Sequence, residues 1–366
     1  MKFETYICKS GVLFFLSIPP PFGGGEIVNQ FLLRYIKDKY NVVTLSRNYH
    51  NKSLQGKINL RNVADGIWKM IVHAYYILRL KPKVVFLGIP KDFSSFIRMS
   101  FELYLAKMMG CKVIGDLHGM NFTFSAGQSS LYRKTINKFN VIRVLGQDIK
   151  KTVAGTGYQN DISVIDNGIE VPAFVQNHAS PFLGDKIKLL YLGAISESKG
   201  FGRTLEIFRA LHLKYPARVE LNIAGEFVDP VSGDKFREIS ADQELASQIH
   251  YHKRVLNEEK WNLLLSSNLL LHFTQYDGQP LTIIEAMACG VPTIATKIGA
   301  IPEMITHNEN GFLVDNCLAD SMKYIGDILD GVISYELVSR NAKKTFFERF
   351  TAEVYAGNIE KLVSIT

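Results

Sequence analysis

Cysteine is scarce in this 366-residue chain, and long apolar runs are missing. The four thiols, Cys8, Cys111, Cys289 and Cys317, share no C-x-x-C spacing. They are too few for a disulfide framework or a four-thiolate zinc site, so the expected setting is a reducing cytoplasm. No apolar stretch approaches the ~18–20 residues that span a bilayer. The run 11–18 (GVLFFLSI) is too short, lacks a small-residue cleavage site and runs into three prolines. It reads as a buried strand of a soluble protein. No solenoid-length repeat and no low-complexity tract is present, which excludes repeat arrays and prion-like tails. Twelve Pro and 28 Gly are ordinary numbers for this length, so neither a collagen-like nor a disordered chain fits.

What is present is alternation. Short β-branched runs at 11–18, 41–46, 83–89, 111–116, 140–145 and 162–165 are separated by amphipathic stretches at 25–38, 62–80, 93–109, 129–138 and 147–155. That pattern predicts parallel strands covered by helices on both faces. Residues 166–186 hold two prolines and no sustained period, as an interdomain linker would. The alternation restarts at 187–193 and continues through strands near 219–224, 268–273, 292–296 and 312–314. Two doubly wound units follow. Ligands of open parallel sheets sit beyond the carboxyl ends of the strands, so the two units are expected to face one another across a cleft, and the loops after the strands are where chemistry is sought.

Four such loops stand out. Residues 20–26 (PPFGGGE) open a helix, and Gly24 and Gly25 let a bound group approach free N–H groups. The G-x-G-x-x-G fingerprint fails there because its third glycine is Val28. A turn that merely needs positive φ is the plainer reading. In 117–121 (LHGMN), His118 at a strand's carboxyl end can bond a hydroxyl or move a proton, or serve structure alone. In 193–201 (GAISESKGF), Lys199 at a loop-to-helix junction can neutralise a diphosphate; otherwise it is a solvated surface lysine. In 277–292 (DGQPLTIIEAMACGVP), Asp277 and Glu285 stand eight positions apart across a helix start near Pro280 or Leu281. Two carboxylates so placed can grip both ends of one ligand; incidental acids on a solvated helix are the alternative.

Together these residues resemble a retaining glycosyltransferase of family 4. Asp277…Glu285 followed by Ala286-Met287-Ala288-Cys289-Gly290-Val291-Pro292 is similar to that family's E-x7-E signature with E-A-M-A-x-G-x-P. Residues 298–305 (IGAIPEMI), 310–314 (NGFLV) and 164–169 (VIDNGI) resemble its "GGIPEVI", "NGLLV" and "VIPNGV" stretches. The likeness is close over most of 164–316 and scattered before it. It implies the α/β GT-B fold, with two Rossmann-like domains: 1–168 on the acceptor side, joined by a crossing helix at 350–366, and 169–349 on the nucleotide-sugar side. It implies Lys199 on the diphosphate, Asp277 under the sugar hydroxyls, and Glu285 on the ribose. Gly278 and the N–H groups of Leu281 and Thr282 would help bind sugar or phosphate. Arg254 and Val255, in the loop 252–256, would lie near the base. Gly24, Gly25 and His118 match the family's N-terminal donor and acceptor loops.

The implied reaction retains anomeric configuration and needs no cofactor and no divalent metal; the sequence has no Asp-x-Asp. Two positions depart from the pattern. Ala194 stands where the family usually has a phosphate-binding Arg, with Arg203, Lys253 or Arg254 as candidate substitutes, and Asp277 is one methylene shorter than the usual Glu. The implied partners are a nucleotide sugar, with UDP favoured, and a glycan acceptor, expected to be lipid-linked, in bacterial O-antigen, lipopolysaccharide or capsule synthesis. A non-catalytic sugar-nucleotide or glycan binder and a GT-B epimerase are the alternatives. Nucleic acid is not expected. The whole-chain charge of +7 conceals an asymmetry: residues 1–168 carry 23 Lys and Arg against 10 Asp and Glu, and 169–366 carry 19 against 25. The basic half suits an anionic membrane surface, and the aromatic-basic stretch 67–81 can touch lipid or pack into the core. A peripheral position at the inner face of the cytoplasmic membrane is the expectation.

Overall fold

The structure is a computed structural model that describes residues 2–20, 23–46, 60–90, 92–119, 130–181 and 183–365. Pro21 and Phe22 of the first loop, and Met120 and Asn121 of the second, lie outside the described residues. The chain divides into two compact units: 1–170 with 351–366, and 171–350.

The first unit is a seven-stranded sheet. Its strands are β1 (Lys2–Tyr6), β2 (Val12–Ser17), β3 (Asn41–Ser46), β4 (Val84–Gly88), β5 (Lys112–Asp116), β6 (Val141–Val144) and β7 (Asp161–Val164), in the order β1-β3-β2-β4-β5-β6-β7. All neighbours are parallel except β1, which pairs antiparallel with β3 from Lys2↔Ser46 to Tyr6↔Val42. The run-based reading missed β1, because KFETY alternates polar residues as a half-exposed edge strand does. The inner strands β2 and β4 are buried over nearly their whole length, as strands covered by helices on both faces must be.

One buried arginine closes this unit. Arg143, on β6, is fully buried, and its guanidinium donates to three groups, on β5 and on the segment after β7. Nε donates to Ile165 O at 2.8 Å, Nη1 to Asp116 Oδ1 at 3.0 Å, and Nη2 to Asn167 Oδ1 at 2.9 Å. Its Cζ also lies 5.2 Å from the ring centre of Tyr355, on the last helix Ala352–Ile365. That helix returns to the first unit at an isolated bridge between Ile169 and Thr351, with Ala352 N donating to Ile169 O. Gly168 makes the return possible: a Cβ there would sit 2.3 Å from Thr351 O and 2.5 Å from Tyr355 Cβ. The stretch 164–169 is therefore packed into the first unit, and the boundary between the units falls at 170/171, within the expected linker, before a short helix at 173–176.

The second unit is a six-stranded, all-parallel sheet. Its strands are β8 (Ile187–Leu192), β9 (Val219–Ala224), β10 (Ile249–Tyr251), β11 (Leu269–His272), β12 (Thr293–Thr296) and β13 (Gly311–Val314), in the order β10-β9-β8-β11-β12-β13. Counted from β8, that is 3-2-1-4-5-6, the order of dinucleotide-binding folds, and it reverses direction between β8 and β11. The core under this sheet includes Leu189, Tyr191, Phe201, Phe208, Leu221, Leu271, Phe273 and Ile294. The reversal places the loops after β8 and β11 side by side at their carboxyl ends.

Candidate functional site

Those two loops carry Lys199 and Asp277, and backbone contacts lace them together. After β8, the Ser196 hydroxyl accepts from Lys199 N at 3.2 Å and caps the 3-10 turn Glu197–Lys199. Gly200 then takes φ +81°, and a Cβ there would stand 2.4 Å from Phe273 O, just beyond β11. Only glycine allows that turn to lie so close to the neighbouring strand end. Gln275 N donates to Ser198 O at 2.9 Å, a second tie between the loops. Lys199 Nζ consequently donates to Asp277 Oδ2 at 2.7 Å and to Tyr276 O at 3.2 Å.

Burial pushes the Asp277 carboxyl up, but the adjacent His272 and the Lys199 ammonium outweigh it and hold the group below the usual carboxylate range. His272 ends β11, and its Nε2 stands 3.7 Å from Asp277 Oδ2, too long for a hydrogen bond. Sequence reasoning passed over His272, although a polar side chain at the carboxyl end of a switch-point strand is the position to inspect.

Three residues after Asp277, Pro280 precedes the helix Leu281–Ala288 and supplies no side-chain cap. The first N–H groups of that helix, at Leu281 and Thr282, face the same end of the sheet with the helix dipole's positive end. Gly278 is buried and its carbonyl accepts from Ala300 N at 2.7 Å, which fixes the approach to the helix. Glu285 lies just over one turn in, and its Oε1 accepts from Lys260 Nζ at 2.6 Å. Both side chains are mostly buried, and the Lys260 ammonium sits 4.8 Å from the Trp261 ring centre. Lys260 was not singled out in the sequence because it lies in the acidic, polar start of helix Asn257–Leu265, 25 residues from its partner.

Arg254 and Val255 follow β10, the strand at the far edge of the sheet; Val255 is buried and Arg254 exposed. Among the described residues no hydrogen bond or ion pair joins either to Lys199, Asp277 or Glu285. Ala194 is exposed, and its carbonyl accepts from Tyr191 Oη at 2.7 Å. Of the cations considered as substitutes, Arg203 has its Nη1 3.9 Å from Cys317 Sγ. The cation on Asp277 is Lys199.

In the first unit, His118 follows β5. Its Nε2 stands 2.6 Å from Asp116 Oδ2, while Asp116 Oδ1 is held by Arg143. Burial would raise the Asp116 carboxyl, but His118 and Arg143 bring it down to about 2. The helix Gly24–Ile36 starts against the His118 ring: a Cβ on Gly25 would be 3.3 Å from His118 Cγ. The structure thus brings the glycine loop and the histidine loop together. His118 Nδ1 is buried without a hydrogen-bond partner among the described residues. Gly23 supplies no side-chain cap to that helix.

The family described as Glycosyl transferases group 1 matches residues 175–345, the span that holds Lys199, Asp277 and Glu285. The second unit matches the group 1 glycosyltransferases. N-acetyl-alpha-D-glucosaminyl L-malate synthase of Bacillus anthracis is 26% identical over 279 residues, covering 71% of this chain and 70% of that protein. Among solved structures, Anabaena Alr3699/HepE in complex with UDP superposes with a TM-score of 0.71 at 15% identity, covering 97% of this chain and 100% of HepE. The complex of HepE with UDP-glucose gives 0.69 at 16% identity, with the same coverage. The lipopolysaccharide outer core galactosyltransferase WaaB gives 0.68 at 18% identity, covering 96% of this chain and 98% of WaaB. At these identities the solved structures establish the fold, the GT-B pair of Rossmann-like sheets.

Proposed function

We propose that this protein is a glycosyltransferase that moves one hexose-type sugar, with retention and without a metal, from a nucleotide sugar to a glycan acceptor carried on lipid. The observation that carries the proposal is the Lys199–Asp277 pair at the reversal point of the second sheet, beside an uncapped helix start whose next turn presents Glu285. An ammonium has three N–H donors. Lys199 uses one on Asp277 and one on Tyr276 O, which leaves the third for a diphosphate oxygen. Leu281 and Thr282 add backbone N–H groups to the same anion. Asp277, kept ionised by its neighbours, accepts from ring hydroxyls of the sugar, and Glu285, oriented by Lys260, accepts from the ribose diol. Arg254 and Val255 flank the base.

In the proposed step the bond from the anomeric carbon to the leaving phosphate oxygen breaks, and an acceptor hydroxyl forms the new bond on the same face. The hydroxyl proton passes to the departing phosphate, and Lys199 with the helix N–H groups takes up the charge that develops there. Gly24 and Gly25 help bind the donor, and His118 takes a catalytic part on the acceptor side. UDP is the favoured nucleotide, since the HepE structures are complexes of UDP and UDP-glucose. The name of WaaB, a lipopolysaccharide outer core galactosyltransferase, supports a role in bacterial lipopolysaccharide synthesis, and the proposal extends to O-antigen or capsule synthesis at the inner membrane face. No helix of the described residues is long and apolar enough to cross a membrane.

Ala194 favours a second reading, a scaffold that binds the nucleotide sugar without turning it over. One experiment separates the two. Incubated with a panel of nucleotide sugars, the purified protein is expected to release UDP from at least one of them, at a rate that EDTA changes less than about twofold. Thermal stabilisation by UDP without release from any donor would establish the non-catalytic reading.

A further inference from the structure

The first unit carries an apolar surface that its own core does not need. The helices Leu60–Leu80 and Phe93–Met108 pack side by side. Their facing sides are fixed by a buried cluster in which His73 Nδ1 stands 3.1 Å and Lys69 Nζ 3.9 Å from Glu102 Oε1, while the ring of Phe15 stacks on His73 at 3.8 Å. With the inner faces so occupied, the outer faces point to solvent, and both are apolar. On the first helix Ile67, Ile71, Tyr75 and Leu78 recur at the spacing of one helical face, with Trp68 beside them at 54% exposure. On the second, Phe93, Ile97, Phe101, Tyr104 and Met108 do the same, Phe93 at 64%.

An amphipathic helix on a soluble domain normally turns charged residues outward, and large contiguous apolar patches mark interaction sites. We propose that this two-helix ridge lies on the surface of an anionic lipid bilayer. Charge and composition select lipid over a protein partner. Exposed Arg79 and Lys81 lie at and just beyond the end of the first helix, and the half of the chain that contains them carries 23 Lys and Arg against 10 Asp and Glu. Arg79 donates to Tyr75 Oη at 2.6 Å and lies 5.6 Å from that ring's centre, an aromatic-cation pair suited to the headgroup layer, where one end is apolar and the other wet. Neither helix is long and apolar enough to span, so the ridge lies in the interface as amphipathic helices do. The inference deepens the lipid-linked acceptor proposed above and rests on that reading for its purpose, while its physics stands apart.

The test is flotation of the full chain with vesicles of phosphatidylethanolamine and phosphatidylglycerol (3:1), and with phosphatidylcholine alone, for wild type and the double variant Trp68→Ser/Phe101→Ser. The wild type is expected to float with the anionic vesicles and far less in 0.5 M salt, which screens the cations. The double variant should lose at least about tenfold in partitioning, with UDP release from a soluble donor unchanged. Absence of wild-type flotation, or equal flotation of the variant, overturns the proposal. So does a wild-type dimer that the two substitutions dissociate, since the ridge would then join two copies. Flotation without UDP release from either protein would sink the transferase reading and leave the membrane face standing.

Discussion

Replacing Lys199 by alanine lowers kcat with the nucleotide sugar by about 10²–10³-fold, ~2.7–4 kcal/mol of transition-state stabilisation, the range seen when one preorganised donor to a developing oxyanion is removed. The size follows from position. Lys199 is the cation on Asp277, it sits where the sheet order reverses, and the usual second cation is Ala194. Stability should hardly move: the side chains of the pair are 36% and 23% exposed, where ion pairs contribute little. Steady-state kinetics at saturating donor alongside a thermal melt therefore separates the role in binding charge from one in folding. Lys199→Arg should rescue only in part, because a planar fork does not replace a point charge on a short turn. Unchanged turnover in the alanine variant would remove Lys199 from the site.

The largest stability effect is expected at Arg143. Arg143→Met leaves Asp116 ionised and buried with only His118 beside it, frees Asn167 Oδ1 and Ile165 O, and removes the cation facing Tyr355. Breaking a buried pair by deleting one partner costs about 3–5 kcal/mol. Denaturation followed separately for each unit should show that loss in the first unit and little change in the second, since the two need not unfold together. Asp116 adds a pH signature. Its carboxyl titrates near 2 in the folded chain against an ordinary 3.8, so its contribution is fully present above pH about 4 and is lost as pH falls toward 2. The gap between wild type and variant should narrow over that interval. Arg143→Met paired with Asp116→Leu should recover part of the loss, because no charge is then stranded.

Arg143 also shows where sequence reading stops. The strands were legible because buried parallel strands are continuous apolar runs, and NVIRVL at 140–145 was read as one of them. What the run could not tell is that the arginine inside it reaches Asp116, Asn167 and the last helix, contacts 24 residues and more away in sequence for the first two bonds beyond its own strand. A charge within a buried strand is the signal, since it must find partners. The same holds in the second unit. Lys199, Asp277 and Glu285 were visible as loop and helix-start residues, whereas Lys260 and His272 became visible only with the packing that brings helix Asn257–Leu265 against Glu285 and ends β11 beside Asp277. Strand β1 escaped because its alternating edge pattern carries no apolar run. The stretch 67–81 left two readings open, lipid or core; its outward Ile67, Trp68 and Ile71 are solvent-exposed.

Calorimetric titration of UDP into the wild type and Glu285→Ala tests the donor site most directly. The wild type should bind UDP, and the variant should bind about 10–100-fold more weakly, the 1.5–3 kcal/mol of hydrogen bonds to a charged group. Equal affinity in the two proteins, or no binding to the wild type, would contradict a nucleotide-sugar site at the β8–β11 reversal.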